Sequence, residues 1–397
     1  MKKIFTPIIC CLFALNTFAQ TQITTPKTIL PGHTNDVNGL SYSAKNNYLA
    51  TAGWDNTINI YSGDTAFKLI KTIKAHLAPV TTVRFNNAGN LLASGSNDFS
   101  IGVYDSLFKK IRDYADPTAH QSNINAITFD NKGKFIFSGD ERGKIVLWAI
   151  EANKKLRVFE NGVSVNALTL GTDPKFLFVA GAEPTIKVLN VATGAVMRSF
   201  VGHTDAVNAI EISPNQNYLI SGSNDKSARI WDLKSGKEIR KLPVDCWKVT
   251  AVAFTFDSKY CATGCNDGSV KVWEVETGKL IQNIPAQSFN TRDLCFFKNY
   301  TQMAVAPMLK EGTDYGVRIY PTSIVMPGEK GATKPLIVNK NQTVIDSIIK
   351  IRPLTKQDSV KLKIQIQKPV LPAEAAKQTT QSKLDSVRIY KTPSKKD

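Results

Sequence analysis

Histidine is scarce in this chain, with four residues in 397. All four share one spaced pattern, described below, so none is left over for a metal site built on imidazole nitrogen. No Gly-x-x-x-x-Gly-Lys-Ser/Thr stretch occurs, nor any Gly-x-Ser-x-Gly. Their absence removes the phosphate-cradling loop and the nucleophile elbow. Acid is short relative to base: 33 Asp and Glu stand against 50 Lys and Arg, a formal charge of +17. After the first twenty residues no apolar stretch is long enough to cross a bilayer as a helix. No catalytic residue, metal ligand or cofactor is expected.

The N-terminus reads as a targeting segment. Met1-Lys2-Lys3 precedes an apolar run over residues 4–15, and small residues follow at Thr17 and Ala19. This is the pattern of a secretory signal peptide, with cleavage expected after about Ala19. Cys10 and Cys11 follow Ile8 and Ile9, where a lipoprotein site needs small residues. An exported, periplasmic or extracellular chain is therefore expected. For such a chain the polyanions that match the charge are an envelope surface or acidic proteins, not nucleic acid. Four cysteines remain after cleavage: Cys246, Cys261, Cys265 and Cys295. Buried free thiols are the plain reading. Export also permits disulfides, and three pairings stay open.

A repeat organises the rest. His33, His76, His120 and His203 follow one another at 43, 44 and 83 residues, the last gap being two periods. A branched apolar residue stands four positions on, at Val37, Val80, Ile124 and Val207. Val165 and Val249 continue the series, with Asn161 and Asp245 in the histidine slot; Gln287 takes it in a weaker seventh copy before Thr291. Each copy then has an apolar strand, a Gly/Ser/Asn/Asp turn and an alternating strand, as in ISGSNDKSARIWD. Turn chemistry between two period-two runs signals a hairpin. A short fourth strand follows, so each copy supplies four.

Gly-His, then Ser-Gly-Ser-x-Asp, then Ile-x-Ile-Trp-Asp resembles the WD40 family, over roughly residues 24–321. The resemblance implies an all-β fold: a seven-bladed β-propeller of four-stranded antiparallel blades. The stretch 24–30 resembles the fourth strand that precedes Gly-His elsewhere, so it is expected to complete the seventh blade and remove the open sheet edges. The domains expected are a signal peptide at 1–19, the propeller at 20–325 and a basic tail at 326–397.

In that family the histidine, a hydroxyl, the turn Asp and the strand Trp form a hydrogen-bonded chain. The resemblance places it at His203, Ser221, Asp225 and Trp231, with partial versions at His33, Thr51, Asp55 and at His76, Ser94, Asp98. The third copy has His120, Ser138 and Trp148 but Arg142 in the Asp slot; the fourth has Asn161, Glu183 and Leu189. A Ser-His-Asp active site is set aside, because one active site does not recur in copy after copy. Trp54 replaces a small turn residue and Trp247 sits in a loop between copies. Exposed Trp on a rigid rim is an interface residue. The residue after each apolar marker is Asn38, Asn125, Asn166, Asn208 or Arg292, with Thr81 and Thr250 completing the series. These make either a polar mouth for a partner or loop closures bonded to their own backbone.

The tail changes character. Residues 326–397 carry more than half the net charge, and Tyr390 is the only aromatic. Such a composition argues for disorder. Residues 346–353, 358–369 and 385–393 each open on Asp-Ser, alternate apolar with basic and close on Pro. Each could add a strand to a partner sheet. The expected function is a non-catalytic interaction scaffold in an extracytoplasmic assembly, with protein partners on the propeller face and the tail. The alternatives are a propeller enzyme or small-ligand receptor at the central mouth, and adhesion to an anionic envelope polymer through the tail.

Overall fold

The computed structural model describes residues 25–286, 290–308 and 314–324. The chain splits into two units, Met1–Glu329 and Lys330–Asp397, and every described residue belongs to the first. The segment 1–19, Gln287 and the tail 326–397 lie outside the described residues.

Alternating apolar strands separated by Asx and Gly turns do what the pattern dictates. The described residues form 28 strands in seven antiparallel sheets of four, with no helix. Blades 1 to 6 span residues 37–74, 80–114, 124–160, 165–200, 207–242 and 249–284, with strands in chain order from the channel outward. Blade 7 is composite. Asn290–Phe296, Gln302–Met308 and Val317–Pro321 are completed by Thr28–Leu30, which pairs antiparallel with Thr28 opposite Ile319 and Leu30 opposite Val317. The N-terminal strand closes the ring.

The apolar core is divided among the blade interfaces. Between blades 4 and 5, Val188 and Phe200 pack with Val207, Ile210, Leu219 and Trp231. Between blades 7 and 1, Leu30, Val37, Leu40 and Tyr61 pack with Phe297, Ala304 and Ile319. Each fully buried aliphatic contributes roughly 1.5–3 kcal/mol, so every interface is a substantial apolar seam.

The glycine of the Ser-Gly-Ser motif follows from this packing. A Cβ at Gly222 would lie 2.5 Å from Val249 Cγ1, and one at Gly139 would lie 2.4 Å from Val165 Cγ1. Only a hydrogen lets the next blade's apolar marker approach so closely.

One irregularity is shared by all seven blades. The register of the innermost strand slips by one residue just after the apolar marker, as between Val37 and Gly39 or Val207 and Ala209. The skipped residue is the Asn/Thr/Arg of the series above. A bulge takes that residue out of the ladder and re-aims its side chain.

Candidate functional site

The marker residues join a hairpin turn to the loop that enters its blade. In blade 5, His203 Nδ1 lies 2.8 Å from Asp225 Oδ2 and Nε2 lies 2.7 Å from Ser221 Oγ. Trp231 Nε1 donates to the same hydroxyl at 2.8 Å. The Asp225 carboxylate can only accept, so the neutral ring keeps its hydrogen on Nδ1, toward Asp225, and Nε2 accepts from the Ser221 hydroxyl. Burial pushes the His203 pKa below its ordinary value, and Asp225 opposes the shift. Burial also pushes Asp225 up, but the bonds from Ser227, His203 and the Thr204 amide bring it to a net lowering.

Blade 1 repeats this with His33 2.9 Å from Asp55 and 2.7 Å from Thr51. Blade 2 repeats it with His76 3.1 Å from Asp98 and 2.8 Å from Ser94. In blade 3, His120 meets Ser138 at 2.6 Å, and Trp148 donates to that hydroxyl at 2.9 Å. The carboxylate does not come from the position of Arg142. Asp140, fully buried two residues earlier, lies 2.9 Å from His120 Nδ1. The order Gly-Asp-Glu-Arg places the carboxylate at the end of the strand, where spacing alone does not look for it. These Ser/Thr-His-Asp sets have the relative geometry of a catalytic triad. The histidine side chains are about 1% exposed or less, and each hydroxyl lies inside a blade, beyond a substrate's reach.

Blades 4 and 6 lack the histidine and use lysine instead. Lys187 bonds the Asn161 side-chain oxygen at 3.2 Å and pairs with Glu183 at 2.8 Å. Lys271 pairs with Asp245 at 2.5 Å, while Trp273 still donates to Thr263 at 3.0 Å. Blade 6 adds a covalent tie. Cys246 of the entering loop is bonded to Cys265 at the hairpin, 19 residues on. Cys261 and Cys295 are free thiols, so the plain reading of four free cysteines is corrected for the first pair.

The fold gathers the bulged residues around a constriction of the channel of about 120 Å³. Their donors reach the next blade, and Asn208, Thr81 and Thr250 also bond Asn224, Gly95 and Gly264 of their own blades. Asn38 Nδ2 donates to the Val80 carbonyl at 3.1 Å and Asn125 to Val165 at 3.2 Å. Asn166 donates to Val207 at 3.2 Å and Asn208 to Val249 at 2.9 Å. Thr81 and Thr250 bond Ile124 and Thr291 in the same way. The own-backbone reading of the Asn residues is thus corrected: the bulge aims each across the blade boundary, where it staples one blade to the next. Arg292 is the exception, with its Nη2 3.4 Å from Met308 Sδ.

Apolar exposure at the loops of the same end of the blades is of another kind. Trp54 is 42% exposed, Leu77 93% and Phe99 41%. The Leu77 carbonyl accepts from Asn56 Nδ2 at 3.2 Å and its amide donates to Asp98 at 2.9 Å. The three side chains therefore stand on adjoining loops of blades 1 and 2. Phe99 holds φ +68°, at the turn position filled by Gly143 in blade 3 and Gly268 in blade 6. A left-handed conformation costs a residue with a Cβ about 1 kcal/mol. Trp247 is 69% exposed, next to the disulfide, with Lys226 Nζ 3.8 Å over its ring. The sequence reading singled out both tryptophans and missed Leu77 and Phe99. The signal for Phe99 was an aromatic residue in a Gly/Asn turn slot.

A ring of four-stranded blades, each tying its entering loop to a hairpin through marker side chains, defines a repeat β-propeller of the WD type. The family described as "WD domain, G-beta repeat" matches residues 24–62, 67–105, 112–149, 194–232 and 236–274, and the chain belongs to the WD40-repeat family. The unmatched copies are those of blades 4 and 7, where the markers are most altered. Among curated relatives, the chain is 27% identical to "COMPASS component SWD3" of Saccharomyces cerevisiae over 45% of this chain and 58% of that protein. It is 26% identical to "Jouberin" of Mus musculus over 44% of this chain and 18% of that protein. It is 25% identical to "Nuclear distribution protein nudF" of Aspergillus niger over 40% of this chain and 36% of that protein. The matched region spans less than two thirds of each relative.

Proposed function

We propose that this propeller is a non-catalytic protein-interaction platform in an extracytoplasmic assembly, and that a partner protein seats on Trp54, Leu77 and Phe99. The apolar patch carries the reading. Phe99 sits at a left-handed turn position at a cost in stability and Leu77 presents its side chain to water, and the fold needs neither. Trp247, held over Lys226, is a second anchor on the same end of the blades. The yeast relative is by name a component of a larger assembly, which fits a platform. The N-terminal pattern of residues 1–19 and the Cys246–Cys265 bond support an exported location, since disulfides persist outside the reducing cytosol. The net charge of +9 on residues 326–397 favours a second contact, with an anionic envelope surface or an acidic partner.

The test uses the full chain as bait on envelope extract, beside a Trp54→Ser, Phe99→Gly double variant. Glycine suits φ +68°, so the variant folds at least as well. Retained proteins that disappear with the variant support the reading. An identical retained set from the folded variant sinks it. A mature chain beginning at Gln20 outside the cytoplasm checks the location.

A further inference from the structure

The other end of the channel has different chemistry. Each innermost strand sends a residue into the bore three positions beyond the bulge. Hydroxyls, an alanine and a cysteine fill five of these seven positions, while Arg84 and Glu211 fill the other two. Ser41 shows what the position does for the fold: its hydroxyl accepts the Phe85 amide of the next blade at 2.9 Å. Glu211 Oε2 accepts the Phe254 amide of its next blade in the same way, at 2.6 Å. A hydroxyl suffices for that bond, so the carboxylate exceeds what the packing requires.

The charge on Arg84 is answered. Its Nη1 lies 3.6 Å from Asp293 Oδ2 and donates to the Leu40 carbonyl at 2.7 Å, while Asp293 accepts the Leu40 amide at 2.8 Å. This arrangement joins blades 7, 1 and 2. Glu211 has no such counter-ion: among the described residues no Lys, Arg or His lies within ion-pair distance of it. It faces a cavity of about 810 Å³. Tyr42, Phe85 and Phe256 stand in the wall, and the rings of Tyr42 and Phe256 meet edge to face at 5.9 Å. The cavity holds two carboxylates and one guanidinium, so with both carboxylates ionised it is a net negative site in a strongly basic protein. It is too large for a bare metal ion. Among the described residues, no group of three or more His, Cys, Asp or Glu could hold one.

We propose that this lower cavity binds a small organic cation, an amine or guanidinium with an apolar body. The cationic head pairs with the free oxygen of Glu211, and the apolar body lies on the aromatic part of the cavity wall that Tyr42, Phe85 and Phe256 supply. The site is separate from the interaction face, at the opposite end of the same strands.

The protonation of Glu211 sets the pH dependence. Burial pushes its pKa up to about 7, with Arg84 lowering it and Asp293 raising it. Asp293 is itself raised by burial, and the other titratable groups around Glu211, the Tyr42 phenol and the thiols of Cys261 and Cys295, are pushed up by burial, so those three stay neutral. Only the ionised carboxylate pairs with a cation, so affinity rises as pH passes about 7.

The experiment titrates phenethylammonium into the full chain by calorimetry at about pH 6 and about pH 8, with phenethyl alcohol as the uncharged probe and Glu211→Ser as the variant. Serine keeps the acceptor for the Phe254 amide; Glu211→Gln serves if that variant melts early. The ammonium probe is expected to bind wild type at the higher pH about tenfold more tightly than at the lower pH or than it binds either folded variant. The alcohol is expected to bind all of them alike. Equal affinity of wild type and folded variant for the ammonium probe overturns the proposal. So does the absence of binding to folded wild type at the higher pH, or a tighter response to a bare divalent ion.

Discussion

Blade 5 and blade 4 solve one problem with different chemistry. Both must tie the loop that enters the blade to the hairpin that follows it. Blade 5 does so with His203, Ser221, Asp225 and Trp231, four side chains that satisfy one another out of water. Blade 4 has Asn161 and Leu189 in two of those slots and reaches across with Lys187, which also pairs with Glu183. The tie is what the fold requires, and the residues that make it are replaceable. The cost of losing a member differs, because a buried network fails as a unit while a half-exposed ion pair fails alone.

The largest effect should separate the two blades. His203→Ala leaves the Asp225 carboxylate and the Ser221 hydroxyl short of a partner inside the blade, at a cost of about 4 kcal/mol. Asn161→Ala removes partly exposed bonds and should cost about 1 kcal/mol. Urea denaturation of both variants measures the gap, and equal losses would erase the distinction. Next is the covalent tie of blade 6. Reducing Cys246–Cys265, or replacing both with Ser, releases a short loop and should lower stability by about 3 kcal/mol. A melt that is unchanged by reductant would mean that Lys271 and Asp245 carry this blade without it.

Acid tests the histidine blades together, and the effect of each single aspartate is smaller than that of the disulfide. The Asp55 pKa falls to about 2: burial raises it, but the His33 and Thr57 hydrogen bonds outweigh burial. Its folded pKa is depressed, so its contribution is present above the unfolded pKa and is lost as pH falls from about 4 through about 2, up to about 2 kcal/mol. His203, lowered by burial, weakens the fold in the same direction below its unfolded value. Denaturation midpoints down a pH series should fall steadily on the acid side. Replacing Asp55 with Asn should flatten part of that fall.

Much of this was legible in residue order. Spacing located seven copies, the glycine and the turn residues located the hairpins, and the stretch before Gly32-His33 announced the closing strand. Asp140 was not legible, because a carboxylate moved two residues along a strand reaches the same histidine only when the strand is folded. The Asn series was legible as a series but not in its role. Whether a side chain bonds its own loop or the next blade depends on a bulge that one sequence does not display. Phe99 could have been found by asking which turn slot needs a left-handed residue. Glu211 could not, since its neighbours come from blades far along the chain.

The sequence by itself determined the number of blades, their strand order and the marker chemistry, because each copy is local and periodic and its turns need particular residues at particular steps. Only the tertiary structure decided what faces what. Closing the ring brought residues some forty apart, and at the seam more than two hundred fifty apart, within hydrogen-bond reach. It joined Cys246 to Cys265, set Trp54, Leu77 and Phe99 on adjoining loops, and left Glu211 without an ion-pair partner among the described residues.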